Sequence, residues 1–362
     1  DCLILWWYEW ICERFGELPG AVWCVGQPEI WQIACYYAGI FLLVFGRRYV
    51  EAWKRRGTYG EENVPGVIIH SNRFQHQIAT VMILGLLIGL LTGNFDRGSR
   101  VTFLDVGQGD GIVVETGQGA YLFDCGSTSR KNIGEYVLKP YLKSRGICSL
   151  RGVFVSHPDE DHMNGVLELL ENGEEWGITA EQLFLPAIAE GKRTESFATL
   201  LAAAEAAEVP VSYIKCGDEI RDSQLRLLCL HPEENTTLAD ANAYSECFYV
   251  EVFAKKMKQE AIDDRKANDA SGGSAIGKIS ILLTGDVEGE GERQLTQRLQ
   301  ALQESRSLQE SQSLQESRSL QESQSLQTTR RLQEQRGQRE FRVDILKVAH
   351  HGSGYSTGTE FL

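Results

Sequence analysis

The nine cysteines of this sequence include no Cys-x-x-Cys pair, so neither a zinc knuckle nor a disulfide framework can be read from them; buried free thiols are the expectation. No stripe of Lys and Arg stands out, which removes the usual electrostatic footprint of a nucleic-acid surface. A mean hydropathy of -0.25 argues against a wholly membrane-embedded chain. The chain opens on Asp1 without a basic segment, so it shows no signal peptide and reads as a fragment of a longer membrane protein. No Ser, Cys or His arrangement forms a convincing nucleophilic triad.

What is present divides in two. Of 362 residues with a formal charge of -14, the first 98 carry eight Lys/Arg against nine Asp/Glu and hold six of the seven Trp. The remainder carries 28 against 41, a net of -13. Residues 30–46 form a 17-residue run without charge and residues 78–95 an 18-residue one. A helix crossing the hydrocarbon core needs about 17 to 25 such residues. The intervening RRYVEAWKRR is basic, as in a short cytoplasmic loop, and Trp and Tyr gather at the run ends. Two transmembrane helices are expected, with buried helices of a soluble core as the alternative. With that loop inside, everything after Asp96 faces away from the cytoplasm. Residues 1–28 mix Glu9, Glu13, Arg14 and Glu17 with Leu and Trp and read as an amphipathic segment lying at the interface.

From residue 100 the pattern changes. RVTFLDV, GIVVET and AYLFDCG are short β-rich runs separated by Gly-containing turns. Helices are expected near 133–144, 164–171 and 194–208. Strands are expected at 152–156, 211–215, 225–230, 247–253, 279–285 and 343–349. Strands first, then helices between later strands, predict two sheets covered by helices. Residues 255–278 and 299–334 look inserted, the first as a polar hairpin loop. In the second, Leu recurs at 302, 308, 314, 320, 326 and 332. A period of six turns a helix by ~600°, so these leucines drift around the surface instead of forming the seam of a coiled coil, whose period is about 3.5. The segment is expected to be a solvated, partly disordered helical extension without chemistry.

The string VSHPDEDHMNG places His157, Asp159, Asp161 and His162 directly after an apolar strand. Imidazole nitrogen and carboxylate oxygen suit Zn2+ or Mn2+, and four such groups in six residues point to two adjacent metals bridged by water or hydroxide. The bland alternative is a polar turn capping the next helix through Asp161 or Asn164. Against it, LFDCG ends a strand on Asp124, ILLTGD ends another on Asp286, and LKVAHHGS brings His350 and His351 to a third.

HPDEDH is similar to the HxHxDH signature of the metallo-β-lactamase superfamily, with Asp159 in the third position. The ordered set DVGQGD (105–110), FDCG, SHPDEDH, LLTGD and KVAHHGS resembles the ComEC family of DNA-internalization competence proteins. The resemblance covers nearly the whole chain apart from the two insertions. It implies an α/β fold, a metallo-β-lactamase-like αββα sandwich over 99–362, preceded by transmembrane α-helices within a membrane segment over 1–98. It also implies two divalent metal ions, Zn2+ or Mn2+. His157 and Asp159 would hold one and Asp161 and His162 the other, with Asp286 bridging and His350 or His351 completing the set. Asp161, His162 and Asp286 are then the catalytic candidates, with Asp110 and Asp124 as supporting carboxylates. The implied function is DNA uptake across the cytoplasmic membrane during natural transformation, with a nuclease or phosphodiesterase domain degrading DNA. DNA, the membrane and other uptake proteins are the implied partners. The implied location is the cell membrane, multi-pass, with the hydrolase domain extracytoplasmic.

The sequence departs from the family pattern in places. Asp159 in place of a His hardens the donor set toward Mn2+ or Mg2+. A separate His before Asp286 is not evident; His231 is the one candidate and reads as a loop residue. The sequence stops shortly after HHGS, so the last strand and helix of the domain are expected to be missing, as is most of the membrane domain. Two other readings stay open. One is a non-catalytic accessory or binding domain of a DNA-transport protein, which the acidic charge supports. The other is hydrolysis of a small ester, since one fold hosts many chemistries.

Overall fold

The computed structural model describes residues 2–16, 25–57, 73–93, 98–234, 238, 242–253, 278–321, 343–352 and 357. The chain divides into two compact units: Asp1–Asp96 with Tyr141–Ile147, and Arg97–Pro140 with Cys148–Leu362.

The first unit contains α1 (Cys2–Gly16), α2 (Ile30–Gly57) and α3 (Arg73–Thr92). Gln32 ties α2 to the end of α3, its Nε2 donating to the Leu90 carbonyl at 2.6 Å and the Gly93 carbonyl at 2.8 Å. Gly39 leaves room for the Leu87 side chain, which is buried there. Most apolar side chains of these helices face outward instead, among them Leu3, Trp6, Tyr37, Phe41, Val81 and Leu86. The expected transmembrane helices are not met: among the described residues no helix is long and apolar enough to cross a membrane. The uncharged run of α2 stops at residue 46, and α3 opens on the polar stretch RFQHQ, so the apolar segments lie at or below the lower end of the length a span needs. The basic stretch expected as a loop is instead the last part of α2, since nothing between residues 47 and 56 breaks a helix.

The second unit is a mixed α/β sandwich. Its first sheet runs β1 (Arg100–Phe103), β2 (Gly111–Glu115), β3 (Ala120–Cys125), β4 (Ser149–Phe154), β6 (Leu183–Pro186) and β7 (Val211–Ile214), with β5 (Thr179–Ala180) also paired to β4. β1–β3 form an antiparallel meander, and β3, β4, β6 and β7 are parallel. The second sheet runs β12 (Ile345–Leu346), β11 (Lys278–Leu283), β10 (Cys247–Phe253), β9 (Leu225–His231) and β8 (Glu219–Arg221), antiparallel except for β11 with β12.

Alternation along the strands builds three layers of contact. Leu225, Leu227 and Cys229 of β9 and Phe248, Val250 and Val252 of β10 meet Ile112, Phe123 and Phe154 of the first sheet. Phe154 stacks on Phe123 with centroids 4.7 Å apart and meets Phe248 edge-on at 5.2 Å, which joins the sheets. The intervening residues Leu228, Leu230 and Tyr249 face outward and pack with Leu295, Leu299 and Leu302 of α7 (Glu290–Gln321). On the other side, α5 (Glu160–Trp176) packs on β3 and α6 (Glu195–Ala206) packs on α5, while α4 (Lys139–Arg145), which precedes β4 in the chain, belongs to the first unit from Tyr141 on. The backbone of α7 is one continuous helix through residue 321, in line with the expected helical extension. Residues 322–334 of that insertion, and 255–277 of the other, lie outside the described residues.

The expectation of buried free thiols holds at Cys125, Cys229 and Cys247. It fails elsewhere: Cys12 and Cys35 are exposed, and Cys148 is disulfide-bonded.

Candidate metal centre

The sheets deliver their chemistry at strand ends. β3 ends on Asp124 and Cys125, β4 runs into Ser156 and His157, β11 into Asp286, and β12 into Lys347 and His351. Motif glycines let the loops close on one another. A Cβ at Gly109 would overlap the Gly126 carbonyl, and one at Gly126 would overlap the backbone of Asp161 and His162. In their absence the Asp110 N–H donates to the Asp161 carbonyl at 3.0 Å, and the Gly126 N–H donates to the Asp110 carbonyl at 2.9 Å. DVGQGD and FDCG thus form the floor under HPDEDH.

Asp159 is the N-cap residue of α5, yet its side chain makes no capping hydrogen bond, and Asn164 binds the Ser127 backbone instead. The carboxylates of this loop are therefore not spent on starting the helix.

Asp161, His162, Asp286 and His351 each offer one ligand atom, and these atoms all lie within 4.8 Å of one another. His162 Nε2 is buried without a hydrogen bond and lies 3.4 Å from Asp286 Oδ2. His351 Nε2 lies 3.2 Å from Asp161 Oδ2 and 3.5 Å from Asp286 Oδ2. Two imidazole nitrogens and two carboxylate oxygens converging on an orphaned nitrogen fit a divalent cation. On its other side, His162 Nδ1 meets Asp124 Oδ2 at 3.0 Å, while Asp124 Oδ1 accepts the Ser156 N–H at 2.7 Å. A carboxylate behind a histidine fixes the ring and presents its far nitrogen to a metal. Asp110 joins this second group, its Oδ2 being 3.7 Å from His162 Nδ1.

The other expected residues are near but apart. His157 is buried, its ring 4.1 Å from that of His162, and its Nε2 lies 3.6 Å from Asp159 Oδ2. His350 turns away and pairs through Nδ1 with Glu288 Oε2 at 3.0 Å. His231 is no loop residue: it ends β9, fully buried, with Nε2 2.7 Å from the Ala243 carbonyl, outside both metal-compatible groups.

Electrostatics couple the cluster tightly. Burial opposes charge on His162, but Asp124 and Asp286 outweigh it and raise its pKa to about 10. Burial would raise Asp286, but His162 and Lys347 hold it well below the usual carboxylate range. Burial, then the charge of His162, pushes His157 down to about 3. The hydrogen bond between His351 and Asp161 raises the first and lowers the second.

Three further residues stand around the centre, of which Ser156 and Lys347 lie inside the strings SHPDEDH and KVAHHGS without having been singled out there. Lys347, its side chain 9% exposed, donates to the Gly285 carbonyl at 2.7 Å and to Asp286 Oδ1 at 3.2 Å, and pairs with Asp110. Ser156 Oγ lies 3.1 Å from His157 Nδ1 and 3.4 Å from His162 Nδ1. Glu246 is buried beside them.

Residues 104–175 match the metallo-beta-lactamase superfamily. The chain is 25% identical over 299 residues to ComE operon protein 3 of Bacillus subtilis (strain 168), a match covering 78% of this chain and 29% of that protein. It is also 25% identical over 339 residues to Recombination protein 2 of Haemophilus influenzae (strain ATCC 51907 / DSM 11121 / KW20 / Rd), covering 90% of this chain and 31% of the relative. The chain thus spans less than a third of the length of these curated relatives. Among solved structures, a metallo-beta-lactamase from Staphylococcus aureus is 10% identical with a TM-score of 0.32, over 56% of this chain and 52% of its own. A subclass B3 metallo-beta-lactamase from a soil metagenome library is 9% identical with a TM-score of 0.33, over 57% and 74%. The chain therefore resembles the ComEC family over most of its length, and residues 104–175 of its mixed α/β second unit are similar to the metallo-β-lactamase superfamily.

Proposed function

We propose that the second unit is a metal-dependent hydrolase that cuts phosphodiester bonds of DNA within a competence DNA-uptake protein. The observation that carries this reading is the convergence of Asp161, His162, Asp286 and His351, from three separate stretches of chain, on one orphaned imidazole nitrogen. These four would hold one divalent ion, and His157 and Asp159, which stand apart from that cluster with 3.6 Å between Nε2 and Oδ2, would be the donors for a second. Bound divalent cations, Zn2+ or Mn2+, supply Lewis-acid polarisation of a phosphoryl oxygen and activation of water. The chain's own residues do the rest. Asp124 sets the tautomer and orientation of His162. Lys347 holds Asp286 Oδ1, which leaves Oδ2 for the centre. His351 and Asp159, with side chains 24% and 46% exposed, mark the side open to substrate.

The exposed apolar side chains of α1, α2 and α3 support residence at a membrane, where such surfaces are covered. The disulfide at Cys148 supports an oxidising compartment, and so an extracytoplasmic hydrolase. The net charge of -13 after residue 98 favours a second reading, a non-catalytic accessory domain, because it works against phosphate binding.

The test is incubation of the full chain with Mn2+ or Zn2+ and single-stranded DNA, double-stranded DNA or a small ester. Metal-dependent DNA cleavage that Asp161→Ala and His162→Ala abolish is expected. Ester hydrolysis without DNA cleavage, or cleavage unchanged in both variants, overturns the assignment.

A further inference from the structure

Behind the metal centre lies a small cavity of about 20 Å3, lined by the polar side chains of Asp110, Asp124, Ser156, Glu246 and Lys347 and by apolar core residues. Glu246 is 1% exposed, and neither of its carboxyl oxygens has a hydrogen-bond partner. Its backbone N–H donates to the Ser156 carbonyl at 2.8 Å, which anchors it beside the loop carrying His157. Burial, with the charge of Asp124 adding, pushes its carboxyl well above the usual range, so it is held as an acid with an O–H to give as well as an oxygen to accept. A buried carboxyl with no partner is costly, and native structures satisfy such groups, with ordered water where protein groups do not reach. One water needs roughly 10–15 Å3 and two to four polar neighbours. The cavity meets both conditions.

We propose that this cavity binds one ordered water molecule that links Glu246 to Ser156 Oγ and Lys347 Nζ, making Glu246 a positioning residue for the metal centre. Ser156 Oγ is already within hydrogen-bonding distance of Nδ1 of both His157 and His162. Lys347 already holds Asp286 and pairs with Asp110. The water therefore connects one buried acid to the supports of three ligand candidates. Outer-shell partners of this kind change metal affinity by about 10–100-fold when removed.

The inference rests on the metal-site reading above, so its test has two arms. The first is a crystal structure of the full chain and of Glu246→Gln at a resolution that shows waters. A water touching the residue-246 side chain and Ser156 or Lys347 in both is expected; an empty cavity overturns the proposal. The second arm is Mn2+ affinity, measured by titration with circular dichroism as the check on folding. Glu246→Gln, which keeps a donor and an acceptor, should bind within about two-fold of the parent chain, and Glu246→Leu should bind about 10-fold or more weakly. A folded Glu246→Leu that binds Mn2+ as the parent does overturns the positioning role. A parent chain that binds no Mn2+ overturns the metal reading and the positioning role with it, while the water is judged by the first arm alone.

Discussion

Asp124 and His162 form a buried pair whose 3.0 Å contact decides which imidazole nitrogen faces the centre. With Nδ1 engaged by the carboxylate, Nε2 is left toward Asp286. Asp124→Asn keeps the shape but removes the charge behind the ring. Mn2+ affinity should fall by about 10–100-fold while the fold persists, as measured by metal titration and circular dichroism. Undiminished affinity would show that the pair does not set the ligand.

The adjacent histidines should separate cleanly. His351 lies against Asp161 and Asp286, whereas His350 pairs with Glu288. His351→Ala should lose most metal binding and metal-dependent hydrolysis, and His350→Ala should keep both within a few-fold. Comparable losses in both variants would contradict this division.

Acid should weaken the fold through His231. Its burial, opposed by the Ala243 carbonyl, lowers its pKa from the usual 6.5 to about 4. Between those values the unfolded chain binds a proton that the folded chain does not. Stability present above pH 6.5 therefore declines as pH falls toward 4. Melting temperatures in a chelating buffer at pH 7.5 and 5.0 should drop less for His231→Gln than for the parent chain; an equal drop would be evidence against it.

The joint between the sheets should be a stability hot spot. Phe154 contacts Phe123, Phe184 and Phe248, with 1% of its surface exposed. Phe154→Ala should cost about 3–5 kcal/mol in urea unfolding monitored by circular dichroism. A loss below about 1 kcal/mol would mean that the sheets are held together elsewhere.

Cysteine chemistry gives a readout independent of activity. Alkylation of the denatured, unreduced chain followed by mass spectrometry should label Cys125, Cys216, Cys229 and Cys247 and spare Cys148. Labelling of Cys148 before reduction would remove the argument for an oxidising compartment.

Much of the second unit was legible from its pattern. Period-two runs such as LRLLCL and CFYVEVF became β9 and β10 because one set of side chains meets the other sheet and the alternate set meets α7. The first unit was legible only in part. Its apolar runs are helical, but local composition did not show that α2 would continue through RRYVEAWKRR. Arg, Glu, Ala and Lys all favour helix once one has begun.

The candidate site divides along the same line. Residue type and order alone singled out Asp124, the HPDEDH loop, Asp286 and the HH pair, because metal-binding donors at the ends of apolar strands are visible in one dimension. Only the tertiary structure decided that His351 rather than His350 faces Asp286, that His157 and Asp159 stand apart from the four-residue cluster, and that Lys347, Ser156 and Glu246 back it. Those outcomes depend on angles between loops from different strands, on glycines that let the loops touch, and on which buried polar atoms find partners. A linear sequence lists the donors; packing determines which of them share a few ångströms of space.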